Sequence, residues 1–113
     1  MPDAGNRRVL LDENVDRLVE PLFDAELAVV RVDVQGWKGM KNGKLLRMAE
    51  REFDVFVTMD RSLPHQQKIE NHDLAVVVIR SISNSFVHVR PLMDGINEAV
   101  KSAKPGTVVE VAR

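Results

Sequence analysis

Four short apolar runs, each closed by a polar or charged residue, constrain the fold of this chain more than any other feature. Val9-Leu10-Leu11 runs into Asp12-Glu13-Asn14, Leu27 to Val32 into Asp33, Val55 to Thr58 into Met59-Asp60, and Leu74 to Ile79 into Arg80-Ser81. All four are rich in β-branched residues and nearly continuous in apolar character, the pattern of strands buried on both faces of a parallel sheet. A fifth run, Thr107 to Val111, follows the breaker Pro105-Gly106 and is interrupted by Glu110, which predicts an edge strand.

Helical spacing fills the intervals. Leu45, Leu46, Met48, Ala49 and Phe53 form an apolar stripe that predicts a helix from Asn42 onward. Val89, Leu92, Met93, Ile96, Ala99 and Val100 predict a second helix, with Pro91 tolerable only in its first turn. Between Asp16 and Ala25 the helical spacing contains Pro21, which must kink or split it, and Leu63 to Asn71 reads as a short helix or irregular loop. Strand and helix alternation implies right-handed crossovers and helices on both faces of an open sheet. The expected fold is a three-layer α/β domain, with a mostly parallel sheet of four to five strands in an order of about 2-1-3-4-5.

A chain of 113 residues predicts one domain over 1–113, with residues 1–7 as a flexible start. The absence of cysteine excludes disulfide scaffolds, thiolate zinc sites and cysteine nucleophiles, and suits a reducing compartment. Apolar runs fall far short of the ~20 residues of a membrane span, and the polar start has no signal-peptide core. The expectation is a cytoplasmic protein with no membrane partner. Sixteen basic against 17 acidic residues argue against a general electrostatic grip on nucleic acid. The balance is segregated, however: residues 36–47 contain Lys38, Lys41, Lys44 and Arg47 and no acid.

In open parallel sheets the functional crevice lies beyond the carboxyl ends of the strands, where the winding reverses. For the order 2-1-3-4-5 that point falls between the strands ending in Asp12 and Asp60. Neighbouring strands lie ~5 Å apart, so the two carboxylates are placed to share a cation such as Mg²⁺ or Mn²⁺, with Glu13 as a third oxygen. The plain alternative is that both aspartates only cap helices or close turns. Similar alternatives attach to Trp37, which either stacks on a base or covers an end of the core, and to Gln66 and Gln67, which either bind a partner or form a solvated helix face. Met40, Met48, Met59 and Met93 read as core filler, and His65, His72 and His88 show no metal-site spacing. Arg80, at the end of a buried strand, is expected to meet a phosphate or Asp60.

The segments Leu10-Leu11-Asp12-Glu13-Asn14-Val15 and Phe53 to Asp60, with its Thr58-Met59-Asp60, resemble the PIN-like domains of bacterial and archaeal toxin-antitoxin pairs. The block from Gly36 to Leu46 and Leu63-Pro64-His65-Gln66-Gln67 resemble one subgroup, and the likeness covers most of residues 8 to 111. The resemblance implies a PIN-like fold and, for active relatives, metal-dependent cleavage of RNA. Asp12 and Asp60 match the family's acidic positions and are the implied metal ligands and catalytic residues, with Glu13 assisting.

Two departures limit that implication. Asn42 and Ser62 stand where relatives commonly carry acids, so one weakly held Mg²⁺ or Mn²⁺, or none, is implied and not a two-metal centre. Asn14, Lys41, Asn42, Thr58, Arg61, Ser62, Gln66 and Arg80 are the expected substrate-binding residues. The implied partners are RNA as substrate and a cognate antitoxin protein; a homodimer through an apolar helix face at Leu92 and Ile96 is a further expectation. Two other readings stand beside the ribonuclease. One is a catalytically impaired binding module for a protein or RNA, favoured by the missing acids. The other is a flavodoxin-like receiver or phosphate-binding domain, which lacks its usual late-strand lysine.

Overall fold

Burial in the strands follows the two-residue period of a pleated backbone, and that period builds two separate cores. The computed structural model describes residues 7–112. Strands β1 (Arg8–Leu11), β2 (Ala28–Arg31), β3 (Val55–Thr58), β4 (Ala75–Arg80) and β5 (Val108–Ala112) form one sheet in the order β2-β1-β3-β4-β5. Every pairing is parallel, and Leu10 lies beside Val30 on one flank and Phe56 on the other. Helices α1 (Asn42–Ala49), α2 (Leu63–Gln66), α3 (Phe86–Val89) and α4 (Met93–Ser102) complete an α/β fold.

Val9, Leu11, Val55, Val57, Val77 and Ile79 face one way and pack with Met93, Ile96 and Val100 of α4. Leu10, Phe56, Val76 and Val78 face the other way and pack with Leu45, Leu46 and Ala49 of α1. The central strands are therefore covered on both sides, which explains their unbroken apolar sequences. At the edge, β5 alternates half-buried Val109 and Val111 with exposed Val108 and Glu110, as an edge strand does.

Prolines divide the expected helices. The segment from Phe86 to Ser102 is α3, a 3-10 turn at Arg90–Leu92 containing Pro91, and then α4, because proline supplies no N–H to the helical ladder. Pro21 likewise sits in a 3-10 helix, Arg17–Leu22, capped by the Asp16 side chain on the Leu18 N–H. The segment 63–71 resolves into α2 and a 3-10 turn, Ile69–Asn71.

Three expectations are corrected or settled by packing. Arg7, placed in a flexible start, donates from Nη1 to the Val100 carbonyl at 3.1 Å and the Ala103 carbonyl at 2.5 Å, so it is anchored to the end of α4; residues 1–6 lie outside the described residues. Leu92 and Ile96 are buried in the core, so the face once available to a homodimer is consumed by the sheet. Trp37 is buried edge-on to Phe53, with ring centroids 6.0 Å apart and an interplanar angle of 80°, and so covers the core. Gly36 and Gly39 flank it at φ +86° and +78°, values that a side chain would make strained.

Candidate functional site

Register places the ends of β1 and β3 side by side. The Asp12 N–H donates to the Val57 carbonyl at 2.9 Å, extending the ladder by one residue past β1. The Asp12 carboxylate thereby comes level with Thr58, whose hydroxyl donates to Asp12 Oδ2 at 2.6 Å. Thr58 Oγ1 also accepts from the Asp60 N–H at 3.0 Å and from Asn14 Nδ2 at 3.3 Å. One hydroxyl therefore uses its single donor and both acceptor positions to hold Asp12, Asn14 and Asp60. Asn14 adds a second tie by accepting the Met59 N–H at 3.1 Å.

Behind this junction, buried Arg31 donates to the Val15 carbonyl at 3.0 Å and pairs with Asp33 at 3.3 Å. It braces the loop that carries Asp12 to Asn14. Nothing in the sequence assigned Arg31 a role; its one signal is a charge inside an otherwise apolar run.

The pKa values of the two carboxyl groups shift in opposite directions. Burial pushes the Asp12 carboxyl above its ordinary 3.8; the Thr58 hydroxyl and Glu13 N–H pull it back, while the charges of Glu13 and Asp60 add to the rise. Asp60 is lowered from 3.8, chiefly by the Ser62 hydroxyl against a smaller desolvation cost, with the Ser62 N–H and the Asn42 side chain assisting. The Ser62 hydroxyl and N–H reach Asp60 Oδ1 at 2.6 and 2.9 Å. Ser62 thus serves Asp60 as a donor through both its hydroxyl and its N–H.

Opposite shifts give opposite pH dependence. The Asp12 carboxyl binds its proton more readily in the folded chain, so its contribution to stability falls as pH rises from 3.8 through its folded-state midpoint. For Asp60 the added stability is present above 3.8 and is lost as pH falls through its lower folded midpoint. Carboxyl-carbon NMR titration should resolve Asp12 above 3.8 and Asp60 below it. In Thr58→Val the Asp12 midpoint should climb further, and an unchanged midpoint would remove the hydroxyl from its assigned role.

Other expected site residues fall into two flanking groups. Lys41, Asn42, Lys44, Arg47, Gln66 and Gln67 line an open cavity of about 620 Å³ at the start of α1. Arg61 and Arg80 line a second cavity of about 520 Å³ on the β4–β5 side, together with His88, which the sequence left without a role. Arg80 pairs with Glu110 at 3.4 Å, so its partner in the fold is not Asp60.

Asp12 and Asp60, with oxygens of Thr58, Asn14, Ser62 and Asn42 near them, are hard oxygen donors of the kind Mg²⁺ and Mn²⁺ take. Among the described residues, no group of three or more His, Cys, Asp or Glu side chains is placed to hold a metal ion, so Glu13, exposed beside Asp12, does not complete a triad. The donor set fits one ion and gives no basis for two. Among the described residues, no helix is long and apolar enough to cross a membrane. Comparison of the chain with family models, with curated proteins and with solved structures found no match.

Proposed function

We propose that the protein is a PIN-like ribonuclease, hydrolysing RNA phosphodiesters with one Mg²⁺ or Mn²⁺ held by Asp12 and Asp60. The observation that carries this reading is the Thr58 hydroxyl fastening both aspartates at the point where the sheet reverses its winding. When bound, such an ion supplies neutralisation of phosphate charge and acidification of an attacking water. Asp12 and Asp60 would hold the ion from the ends of adjacent strands, its positive charge offsetting the burial that raises the Asp12 carboxyl. Lys41, Lys44 and Arg47 on one side, with Arg61 and Arg80 on the other, attract the flanking phosphates of a single strand. Asn14 positions the loop, and Gln66 presents hydrogen-bonding groups to bases. The sequence resemblance extends the reading to a cytoplasmic toxin restrained by an antitoxin protein.

Incubation of the purified chain with single-stranded RNA and Mn²⁺ should produce cleavage that EDTA abolishes and added Mn²⁺ restores. Cleavage unaffected by EDTA would overturn the single-ion reading. A second reading is supported by Ser62, a neutral group that occupies Asp60 as a hydrogen-bond donor, and by neutral Asn42: a PIN-like module that binds RNA or a protein without cutting. RNA retained without any metal-dependent cleavage would decide for it.

A further inference from the structure

The cavity beside Arg61 and Arg80 combines features that the two aspartates do not use. It encloses about 520 Å³, within the range of ~300–1,000 Å³ typical of small-molecule sites. Arg61 and Arg80 give it a cationic lining, Ile82, Val87 and Pro91 an apolar one, and no acidic side chain lines it. Ile82 is 89% exposed and Val87 72% exposed, so both aliphatic side chains are open to a ligand.

Two further contacts shape its chemistry. Ser83 Oγ accepts the Ser85 N–H at 3.1 Å and lies 2.6 Å from His88 Nδ1. Arg80 meets Glu110 at 3.4 Å with both side chains substantially exposed, a weak pair that a phosphate can displace.

We propose that this cavity binds one ribonucleotide, its phosphate on Arg61 and Arg80 and its base against Ile82, Val87 and Pro91. Paired guanidinium groups match phosphate geometry, and an aliphatic wall accepts the flat face of any base. Arg61 directly follows Asp60 in the chain, which links the cavity to the strand end that carries that aspartate. Identification of the bound nucleotide as a neighbour of the phosphodiester to be cut rests on the ribonuclease reading; the binding itself does not.

The test uses the metal-free full-length protein, titrated separately with AMP, UMP, adenosine and inorganic phosphate and followed by backbone amide NMR. Saturable shifts at Ile82, Val87 and His88 are expected with AMP and UMP, with adenosine and phosphate each weaker by about tenfold or more. Arg80→Ala, and independently Arg61→Ala, should raise the nucleotide Kd by about tenfold, the loss of one charge-assisted hydrogen bond. Both side chains are exposed, so an unchanged spectrum elsewhere verifies the fold of each variant. Absence of saturable shifts in this cavity, phosphate binding as tightly as AMP, or undiminished affinity in both variants would overturn the proposal. Nucleotide binding without Mn²⁺-dependent RNA cleavage would leave the cavity assignment standing and remove the ribonuclease reading. Cleavage without nucleotide binding would do the reverse.

Discussion

Asp60→Asn should reduce Mn²⁺-dependent RNA cleavage by at least about a thousandfold, equivalent to ~4 kcal/mol of activation barrier. The substitution is sterically neutral and preserves the local turn. Asp60 Oδ1 accepts both the Ser62 hydroxyl and the Ser62 N–H, and an asparagine carbonyl oxygen accepts the same two donors. What it removes is the negative charge and the second carboxylate oxygen, the two properties a divalent ion requires. Asp12→Asn should be equally inactive but structurally less clean. Both Asp12 oxygens accept, from Glu13 N–H at 2.8 Å and Thr58 Oγ1 at 2.6 Å, while the Thr58 lone pairs are already occupied. An amide NH₂ at position 12 must therefore face a donor, costing about 1–3 kcal/mol before any relief from removing a desolvated charge is counted. Full cleavage by a folded Asp60→Asn protein, measured beside the wild type at equal Mn²⁺, would refute the proposed site.

Phe56→Ala should destabilise the fold by about 3–5 kcal/mol, a large share of the ~5–15 kcal/mol that holds a domain of this size together. Phe56 is fully buried in the middle strand, with Leu10 and Val76 beside it in register. The residue belongs to the core shared with Leu45, Leu46 and Ala49 of α1, so truncation leaves a void between two rigid layers with little freedom to collapse. Val34→Ser, at a position 73% exposed, should change stability by less than about 0.5 kcal/mol. Urea denaturation of the two variants against the wild type measures both, read from the shift in midpoint at constant slope. A midpoint for Phe56→Ala within error of the wild type would contradict this placement of the core.

Much of the sheet is legible in the amino-acid sequence. Val55 to Thr58 reads as a buried strand, and β3 has those limits; Leu74 to Ile79 is displaced by a single residue in β4. Alternation of strands and helices predicts parallel strands, and the order 2-1-3-4-5, expected from likeness to flavodoxin-like sheets, is the order of the sheet. Helix continuity was harder to read. The apolar stripe from Val89 to Val100 continues through Pro91, yet the backbone there is divided among α3, a 3-10 turn and α4. Side-chain periodicity reports which face is buried and is nearly blind to a local change of hydrogen-bond pattern.

For the candidate site the sequence by itself determined that Asp12 and Asp60 each follow a buried strand, since residue type and apolar pattern carry that information; that the two strands are neighbours is a property of the sheet. The sequence also marked Asn42 and Ser62 as neutral where acids are common among PIN-like domains. Only the tertiary structure decided that Thr58 fastens Asp12, Asn14 and Asp60 together, that Arg31 braces their loop, and that Arg80 meets Glu110. It alone brought Arg61, Arg80, His88 and the exposed Ile82 and Val87 around one cavity. The physical reason is range. Strand formation depends on a period repeated over neighbouring residues, whereas a hydrogen bond depends on a few tenths of an ångström between groups tens of residues apart, which only the packed backbone sets.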